Sequence, residues 1–354
     1  MGSTKTNPGN YFEDFKLGQV LHHATPRTIT EGDVSLYTAL YGGRFALQSA
    51  DSFAIDCGLQ AAPVDDLLVF HVVFGKTVPD ISLNAVANLG YADVRFLSPV
   101  LPGDSVQTTS EVIGLKENSN GKTGVVYVRS TGKNQMGEVV LDYVRWVMVH
   151  KKDKDAPAPE TVIPDLPDVV DPATFALPMD LNFENFDTTL SGSPHFYEDY
   201  EVGEKIDHVD GMTIEEAEHM MATRLYQNTA KVHFNDHMMK DDRMGRRLIY
   251  GGHIISLARS LSFNGLGNAL LIAAINGGSH TAPTFAGDTI YAWSEVLDKS
   301  DLMGRSDAGA LRIRTVGVKN KNGAEFPDTG EDGKRDPNVV LDLDYWVILP
   351  KSTV

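Results

Sequence analysis

A histidine and a pair of glycines in the second half of the chain have the residue types and spacing for acid–base chemistry. His233 ends the segment LYQNTAKVH, and Gly251-Gly252 follows at the start of an apolar, helix-like run. A histidine exchanges protons near neutral pH because its ordinary pKa is about 6.5. A backbone N–H at a helix start is an unpaired donor that suits developing negative charge. His233 and Gly252 are therefore candidates for a general base and an anion-stabilising donor.

The sequence is duplicated, and the duplication indicates which elements must position these candidates. Three segments recur in the same order: Tyr11–Gly18 as Phe196–Gly203, Pro102–Val106 as Ala286–Ile290, and Val139–Asp142 as Val339–Asp342. The offset rises from 185 and 184 residues to 200 at the last match, which indicates an insertion in the second copy. The stretch Lys319–Asn338, rich in Gly, Asp and Lys, is the expected place. A repeat this long is a duplicated domain, because solenoid units run about 20–50 residues.

The domain organisation follows from the repeat. We predict a first unit over residues 1–150, a linker rich in proline and acidic residues over 151–188, and a second unit over 189–354. Each unit begins with two helical patterns, Thr30–Leu40 and Asp65–Lys76 in the first and Thr213–Leu225 and Gly252–Phe263 in the second. Strand-like runs such as Val125–Val128 and Tyr143–Val149 follow. This order predicts an α+β fold in which a sheet wraps a central helix.

Composition restricts the class of protein and its partners. The 354 residues are 42% hydrophobic and 22% charged, as in ordinary globular proteins. A formal net charge of −17 argues against binding to nucleic acid or to an anionic membrane, since both require a basic surface. The single cysteine, Cys57, and the absence of an apolar leader in Met1–Gly9 favour a soluble protein of the reducing cytoplasm.

The segments around His233 and Gly252 resemble the MaoC-like (R)-specific enoyl-CoA hydratases, whose signature G-D-x-N-P-x-H precedes the central helix of a hot-dog fold. The resemblance implies a double hot-dog with four site residues in the second copy. His233 takes the place of the catalytic histidine, Asn228 that of the catalytic aspartate and Gly252 that of the oxyanion donor, while Ser260 matches a supporting serine. In the first copy Gly43 and Gln48 fall at the acid–base positions. Neither can titrate, so this copy is predicted to be catalytically degenerate.

A closer resemblance lies at the N-terminus, where Lys5–Phe15 and Arg27–Asp33 are similar to the mesaconyl-CoA hydratases. This resemblance implies an acyl-CoA substrate and reversible hydration of mesaconyl-CoA to β-methylmalyl-CoA, with no metal or redox cofactor. Asn228 departs from the signature because an amide cannot exchange protons as an aspartate does. It can hold the water, which leaves both proton transfers to His233 or to a carboxylate such as Asp236 or Asp241.

Six cations are candidates for binding the anionic substrate. The phosphates of CoA need cationic donors, which an acidic chain rarely offers, and one basic cluster precedes Gly252: Lys240, Arg243, Arg246 and Arg247. Arg44 and Arg259 are candidates for pairing with a substrate carboxylate. The ordinary alternatives are a solvated loop for the cluster and salt bridges at the edge of the core for the two arginines. His253 and His280 are expected to lie in the core or the pocket wall.

Other functions remain open at this stage. A fatty (R)-specific enoyl-CoA hydratase or a hot-dog thioesterase would use the same fold, although no carboxylate stands at the position a thioesterase would need. A non-catalytic acyl-CoA binding protein would explain both Asn228 and the degenerate first copy. The two copies are expected to pair within one chain, so homodimerisation is optional.

Overall fold

The computed structural model describes residues 5–330 and 332–352, which contain ten strands and ten α-helices. The strands are β1 (Val20–Thr28), β2 (Ala85–Phe96), β3 (Ser105–Glu117), β4 (Thr123–Lys133), β5 (Val139–His150), β6 (Lys205–Thr213), β7 (Leu271–His280), β8 (Thr289–Asp301), β9 (Ala308–Lys319) and β10 (Val339–Pro350). The helices are α1 (Glu31–Tyr41), α2 (Ala46–Ser49), α3 (Asp51–Asp56), α4 (Asp66–Thr77), α5 (Thr188–Ser191), α6 (Glu216–Leu225), α7 (Lys231–Phe234), α8 (Asp236–Met239), α9 (Gly251–Leu261) and α10 (Phe263–Leu266). Residues 1–4, in the segment expected to carry no leader, lie outside the described residues.

All ten strands form one antiparallel sheet in the order β1-β3-β4-β5-β2-β7-β10-β9-β8-β6. The first five strands belong to the first copy and the last five to the second, and β2 pairs with β7 at the junction. Equivalent elements begin 185 residues apart, as β1 at Val20 and β6 at Lys205 show. The predicted insertion is confirmed, because β9 ends at Lys319 and β10 begins at Val339. The architecture is the expected α+β double hot-dog.

Each half of the sheet wraps one central helix, α4 in the first copy and α9 in the second. Asp65 begins α4 by accepting a hydrogen bond from the Leu67 N–H, and every residue from Leu67 to Thr77 is buried. The two helices meet at equivalent positions, where His71 Nε2 and Ser256 Oγ are 2.9 Å apart. Tyr41 and Tyr226 are another equivalent pair, with their hydroxyls 2.7 Å apart. The two copies are thus related by an approximate two-fold axis.

The chain crosses between the copies as an extended segment over residues 151–187. One 3₁₀ turn at Pro172–Thr174 and a single bridge between Leu115 and Val162 are its regular features. Phe183 and Val170 are buried against the outer side of the second copy, in a cluster with Trp346. Within the described ranges no helix is long and apolar enough to cross a bilayer.

Candidate active site

Asn228 and His233 lie on the short connection between α6 and α8. Hydrogen bonds to the backbone of Ala230 link the two residues. The side-chain oxygen of Asn228 accepts a hydrogen bond from the Ala230 N–H at 3.0 Å. The Ala230 carbonyl in turn accepts one from the His233 N–H, also at 3.0 Å. Asn228 therefore folds the turn that places His233 on the first turn of α7. The structure brings together the two residues that the signature predicted as a pair.

The hydrogen bonding of His233 determines which of its nitrogens can act as a base. Its Nδ1 lies 2.9 Å from the carbonyl oxygen of Leu248, which can only accept, so Nδ1 carries the proton. Nε2 makes no hydrogen bond to any described residue and keeps its lone pair. Burial lowers the pKa of His233 to about 4, partly offset by the Leu248 contact. At neutral pH the ring is uncharged and Nε2 can take a proton.

Gly251 and Gly252 form the first turn of α9, and neither position has room for a side chain. A Cβ on Gly251 would lie 2.3 Å from His280 Nε2. On Gly252 it would lie 2.4 Å from the Tyr250 ring and 2.5 Å from the His71 ring. First-turn N–H groups have no acceptor within their own helix, and the helix dipole makes this end positive. The turn is suited to an oxyanion donor, and the role of Gly252 stays a prediction.

Aromatic and imidazole rings enclose the proposed base. His219 Nε2 accepts a hydrogen bond from the Tyr250 N–H at 2.9 Å. The His233 ring lies edge to face with the His219 ring at a centroid distance of 6.1 Å and with the Tyr250 ring at 5.5 Å. His253 is buried, with Nδ1 2.8 Å from the Tyr41 hydroxyl. His280 lies over Gly251 with Nε2 2.5 Å from the Tyr91 hydroxyl. His253 belongs to the core, as expected, whereas His280 is exposed at the end of β7 and does not line the cavity described below.

A cavity of about 670 Å³ has walls from both copies, and it is lined by Asn228 but not by His233 or Gly252. Asn228, Gln227 and Thr223 line it from the second copy, and Gly75 and Lys76 from the end of α4 in the first. The amide nitrogen of Asn228 makes no hydrogen bond to the described residues, so it is available to hold a water. The first copy, although it lacks a titratable pair, builds part of the site.

Ser260, Arg44 and Arg259 lie near the opposite end of α9 from Gly252, and their expected roles stay predictions. Ser260 is eight residues beyond Gly252, a rise of about 12 Å along a helix. A Cβ placed on Gly43, the first-copy equivalent of Asn228, would be 3.8 Å from Ser260 Oγ. Ser260 therefore faces the degenerate site. Arg259 is buried on the ring of Phe45 at 3.6 Å, and Arg44 lies 4.5 Å above the ring of Phe263.

The basic cluster lies on the loop that leads to α9. Lys240 pairs with Asp236 at 3.2 Å, and Arg247 pairs with Glu216 at 3.1 Å. Arg246 donates to the Ala286 carbonyl at 2.7 Å, whereas Arg243 is exposed without a contact to the described residues. Binding of CoA phosphates here stays a prediction. Asp236, Asp241 and His233 are alike in not lining the cavity, so which of them takes over the proton transfers of the missing aspartate stays a prediction.

Two residues of the first copy that lie against Gly252 or the cavity were not among those predicted from the sequence. His71 packs against Gly252, and Lys76 lines the cavity, yet both are far from His233 in the sequence. A signal was present in the repeat: the equivalent positions in the second copy are Ser256 and Leu261. A histidine and a lysine at positions that are small or apolar in the other copy indicate a role of one copy in the site of the other.

Comparison with known proteins identifies the family. The family model of mesaconyl-CoA hydratase matches residues 2–329. The chain belongs to the mesaconyl-CoA hydratase family. It is 65% identical to the β-methylmalyl-CoA dehydratase of Chloroflexus aurantiacus over 99% of each chain, and 60% identical to the mesaconyl-CoA hydratase of Cereibacter sphaeroides over 98% of this chain and 100% of the relative.

Solved structures agree with this family membership. A MaoC domain protein dehydratase from Chloroflexus aurantiacus J-10-fl superposes with a TM-score of 0.97 at 65% identity, covering 99% of this chain and 100% of the other. RV0216 of Mycobacterium tuberculosis, described as a double hotdog fold, superposes with a TM-score of 0.73 at 26% identity, over 97% and 98%. The mesaconyl-CoA hydratase family member described here therefore shares its whole architecture with these chains.

Proposed function

We propose that this chain reversibly hydrates mesaconyl-CoA to β-methylmalyl-CoA. Mesaconyl-CoA is an α,β-unsaturated thioester with a methyl group on the α-carbon and a free carboxylate on the β-carbon. Water adds its oxygen to the β-carbon and a proton to the α-carbon. The observation that supports this chemistry best is the tautomer of His233, whose unprotonated Nε2 is held ready by the contact of Nδ1 with Leu248. Membership of the mesaconyl-CoA hydratase family supports the choice of substrate.

His233 supplies the base, and the start of α9 supplies the anion-stabilising donor. His233 Nε2 takes a proton from water as the water oxygen bonds to the β-carbon, and the C=C electron pair moves toward the thioester carbonyl. The Gly252 N–H donates to the oxygen on which this charge develops. The proton held by His233 then passes to the α-carbon. Dehydration is the same path in reverse.

Asn228 replaces the aspartate of the related signature and has a different part in this scheme. Its oxygen is engaged with the Ala230 N–H, so the amide nitrogen faces the cavity as a donor. An amide N–H can orient the oxygen of the attacking water but cannot take its proton. Both proton transfers therefore fall to His233. One residue acting as base and then as acid suits a reaction that adds the two parts of a water molecule in succession.

The experiment that tests the proposal is incubation of the purified chain with mesaconyl-CoA. We expect loss of the enoyl thioester absorbance together with a mass gain of one water. Release of free CoA would instead indicate a thioesterase, and faster hydration of crotonyl-CoA would indicate a fatty enoyl-CoA hydratase. Binding without turnover would leave an acyl-CoA binding protein. Cytoplasmic location, independence from cofactors and the oligomeric state stay predictions.

A further inference from the structure

The ammonium group of Lys76 is a buried cation that has no carboxylate among its described neighbours. The residue is 5% exposed, at the end of α4. Its Nζ donates to the side-chain oxygen of Gln227 and, at 3.2 Å, to the hydroxyl of Thr25. Both acceptors are neutral. The charge of nearby Arg27 is already paired with Asp33 at 2.5 Å, and a buried charge normally requires an opposite charge.

The position of Lys76 is defined relative to the water-holding residue. Gly75, its neighbour, packs so closely on the second copy that an added Cβ would lie 3.3 Å from the backbone nitrogen of Asn228. Gln227, its hydrogen-bond partner, is adjacent to Asn228 in sequence. Lys76, Gln227 and Asn228 all line the same cavity. Lys76 and Asn228 therefore face one cavity, and Gln227 connects them.

The left-handed backbone conformation of Gln227 indicates that its side chain is kept for the contact with Lys76 and not for folding the turn. Gln227 has φ +52°, in the left-handed region that favours glycine. The equivalent residue of the first copy is Gly42, with φ +62° in the same turn. The second copy therefore keeps a less favourable residue where glycine would fit. Its side-chain oxygen accepts a hydrogen bond from Lys76 Nζ, and both residues line the cavity.

We propose that Lys76, contributed by the catalytically degenerate first copy, binds the free carboxylate of the substrate. This inference rests on the proposed function. In mesaconyl-CoA the carboxylate is attached to the β-carbon, the same carbon that receives the water oxygen. A carboxylate paired with Lys76 would therefore hold the β-carbon next to Asn228. Lys76 is a specificity-determining residue under this scheme, because its ammonium group strengthens the binding only of substrates that carry a carboxylate on that carbon.

The other buried cation near the end of α4 does not compete for this role. Arg145 is fully buried, donates to the Thr77 hydroxyl at 2.7 Å and lies 4.2 Å from the ring of Phe74. It does not line the cavity. Arg44 and Arg259, the residues that the sequence suggested, are at the far end of α9. Among the described cations, Lys76 alone is both buried and part of the cavity wall beside Asn228.

The test compares two thioesters that differ only in the carboxylate. Tiglyl-CoA has the carbon skeleton of mesaconyl-CoA with a methyl group in place of that carboxylate. In Lys76→Met we expect kcat/KM for mesaconyl-CoA to fall about 100-fold or more, the range for removing one partner of a buried charge pair. For tiglyl-CoA, kcat/KM, or its inhibition constant if turnover is too slow, should change less than about threefold. The exposed Lys116 gives the matched control, Lys116→Met, with both values unchanged.

The outcomes separate the two proposals. Equal losses for the two thioesters in Lys76→Met would overturn carboxylate binding, because the lysine would then act on CoA or on the fold. If Lys76→Met does not fold, the wild-type chain gives the answer with mesaconyl-CoA and its neutral methyl ester at the same carboxyl group. A preference of 100-fold or more for the free acid supports the inference, and equal kcat/KM overturns it. A wild-type chain that does not hydrate mesaconyl-CoA contradicts the proposed function itself.

Discussion

Gly75 of α4 lies against the backbone of Tyr226 so closely that a Cβ on this glycine would be 2.0 Å from the Tyr226 carbonyl oxygen. Real Cβ atoms do not approach backbone oxygens to this distance, so one of the two segments would have to move. Tyr226 precedes Gln227 and Asn228, which line the cavity. The end of a first-copy helix thus fixes the position of the turn that carries Asn228 in the second copy.

Gly75→Ala should therefore reduce activity by moving the turn that carries Asn228. We expect a loss of about 1–3 kcal/mol in the free energy of unfolding, the usual cost of overpacking, together with a fall in kcat. Denaturant unfolding and steady-state kinetics measure the two effects. Gly32→Ala, in the exposed first turn of α1, is the matched control, because its Cβ would meet only the Thr30 hydroxyl at 3.5 Å. Normal kinetics in a folded Gly75→Ala would contradict the coupling.

Substitution of His233 should abolish most of the catalysis, and substitution of its first-copy equivalent should not. His233→Ala removes the only group in the proposed scheme that exchanges protons, so kcat should fall roughly 10²–10⁴-fold. Gln48 carries an amide, which does not titrate, and donates to the Leu270 carbonyl at 2.8 Å. Gln48→Ala should keep kcat within about tenfold of the wild type, since it removes no proton transfer. Comparable losses in both variants would show that the first copy is not silent.

The pH profile should reflect the lowered pKa of His233. A base works only when unprotonated, and burial holds the pKa of this ring at about 4 instead of near its ordinary value. As the pH falls, kcat/KM for the wild-type chain should therefore stay level below pH 6 and decline only as the pH approaches 4. A decline centred near pH 6.5 would contradict this account of the free enzyme.

Thermal unfolding at each pH provides the control for that profile. His71, His219 and His253 have pKa values lowered by burial to about 3, 2 and 3. Each lowered pKa contributes stability that is fully present above the unfolded pKa, near 6.5, and is lost as the pH falls toward the folded pKa. Asp66 acts in the opposite direction, because burial raises its pKa to about 7. Rates should be compared only where the chain remains folded.

The basic cluster should affect substrate binding and leave chemistry unchanged. Arg243→Ala combined with Arg246→Ala should raise KM several-fold or more with little change in kcat, the pattern expected when uniform binding is lost. High salt should weaken the wild type in the same direction, because exposed charges are screened. An unchanged KM in the double variant would remove this loop from the CoA site.

Ser256 and Ser260 should differ sharply, although they are one turn apart on α9. Ser256 Oγ accepts a hydrogen bond from the Tyr37 hydroxyl at 2.9 Å and lies 2.9 Å from His71 Nε2. Ser256→Ala leaves buried partners unsatisfied and should cost about 1–3 kcal/mol of stability. Ser260→Ala should change stability by less than about 0.5 kcal/mol, as for substitutions away from such contacts, and leave kcat unchanged. A large loss of kcat in Ser260→Ala would support its predicted catalytic role.

The fold and the candidate pair Asn228 and His233 were predictable because they depend on local patterns. Short segments of sequence are enough to show the repeat, the capped helix at Thr30 and the insertion after Lys319. The spacing of Asn228 and His233 is equally local. Lys76 was not found, because its place beside Asn228 depends on how two units pack. The surroundings of Ser260 were not predictable for a related reason: an alignment gives its position along α9 but not that its hydroxyl lies near Gly43.

The contact between His71 and Ser256 has a consequence for how such a site can evolve. In a dimer of identical chains, a position on the two-fold axis meets its own copy, so any substitution appears on both sides at once. Here the two positions belong to one chain and are encoded separately. A histidine can therefore face a serine, and a lysine can be added beside one catalytic centre without a second lysine being buried at the other. Tandem fusion converts a symmetric interface into one whose two faces can be changed independently.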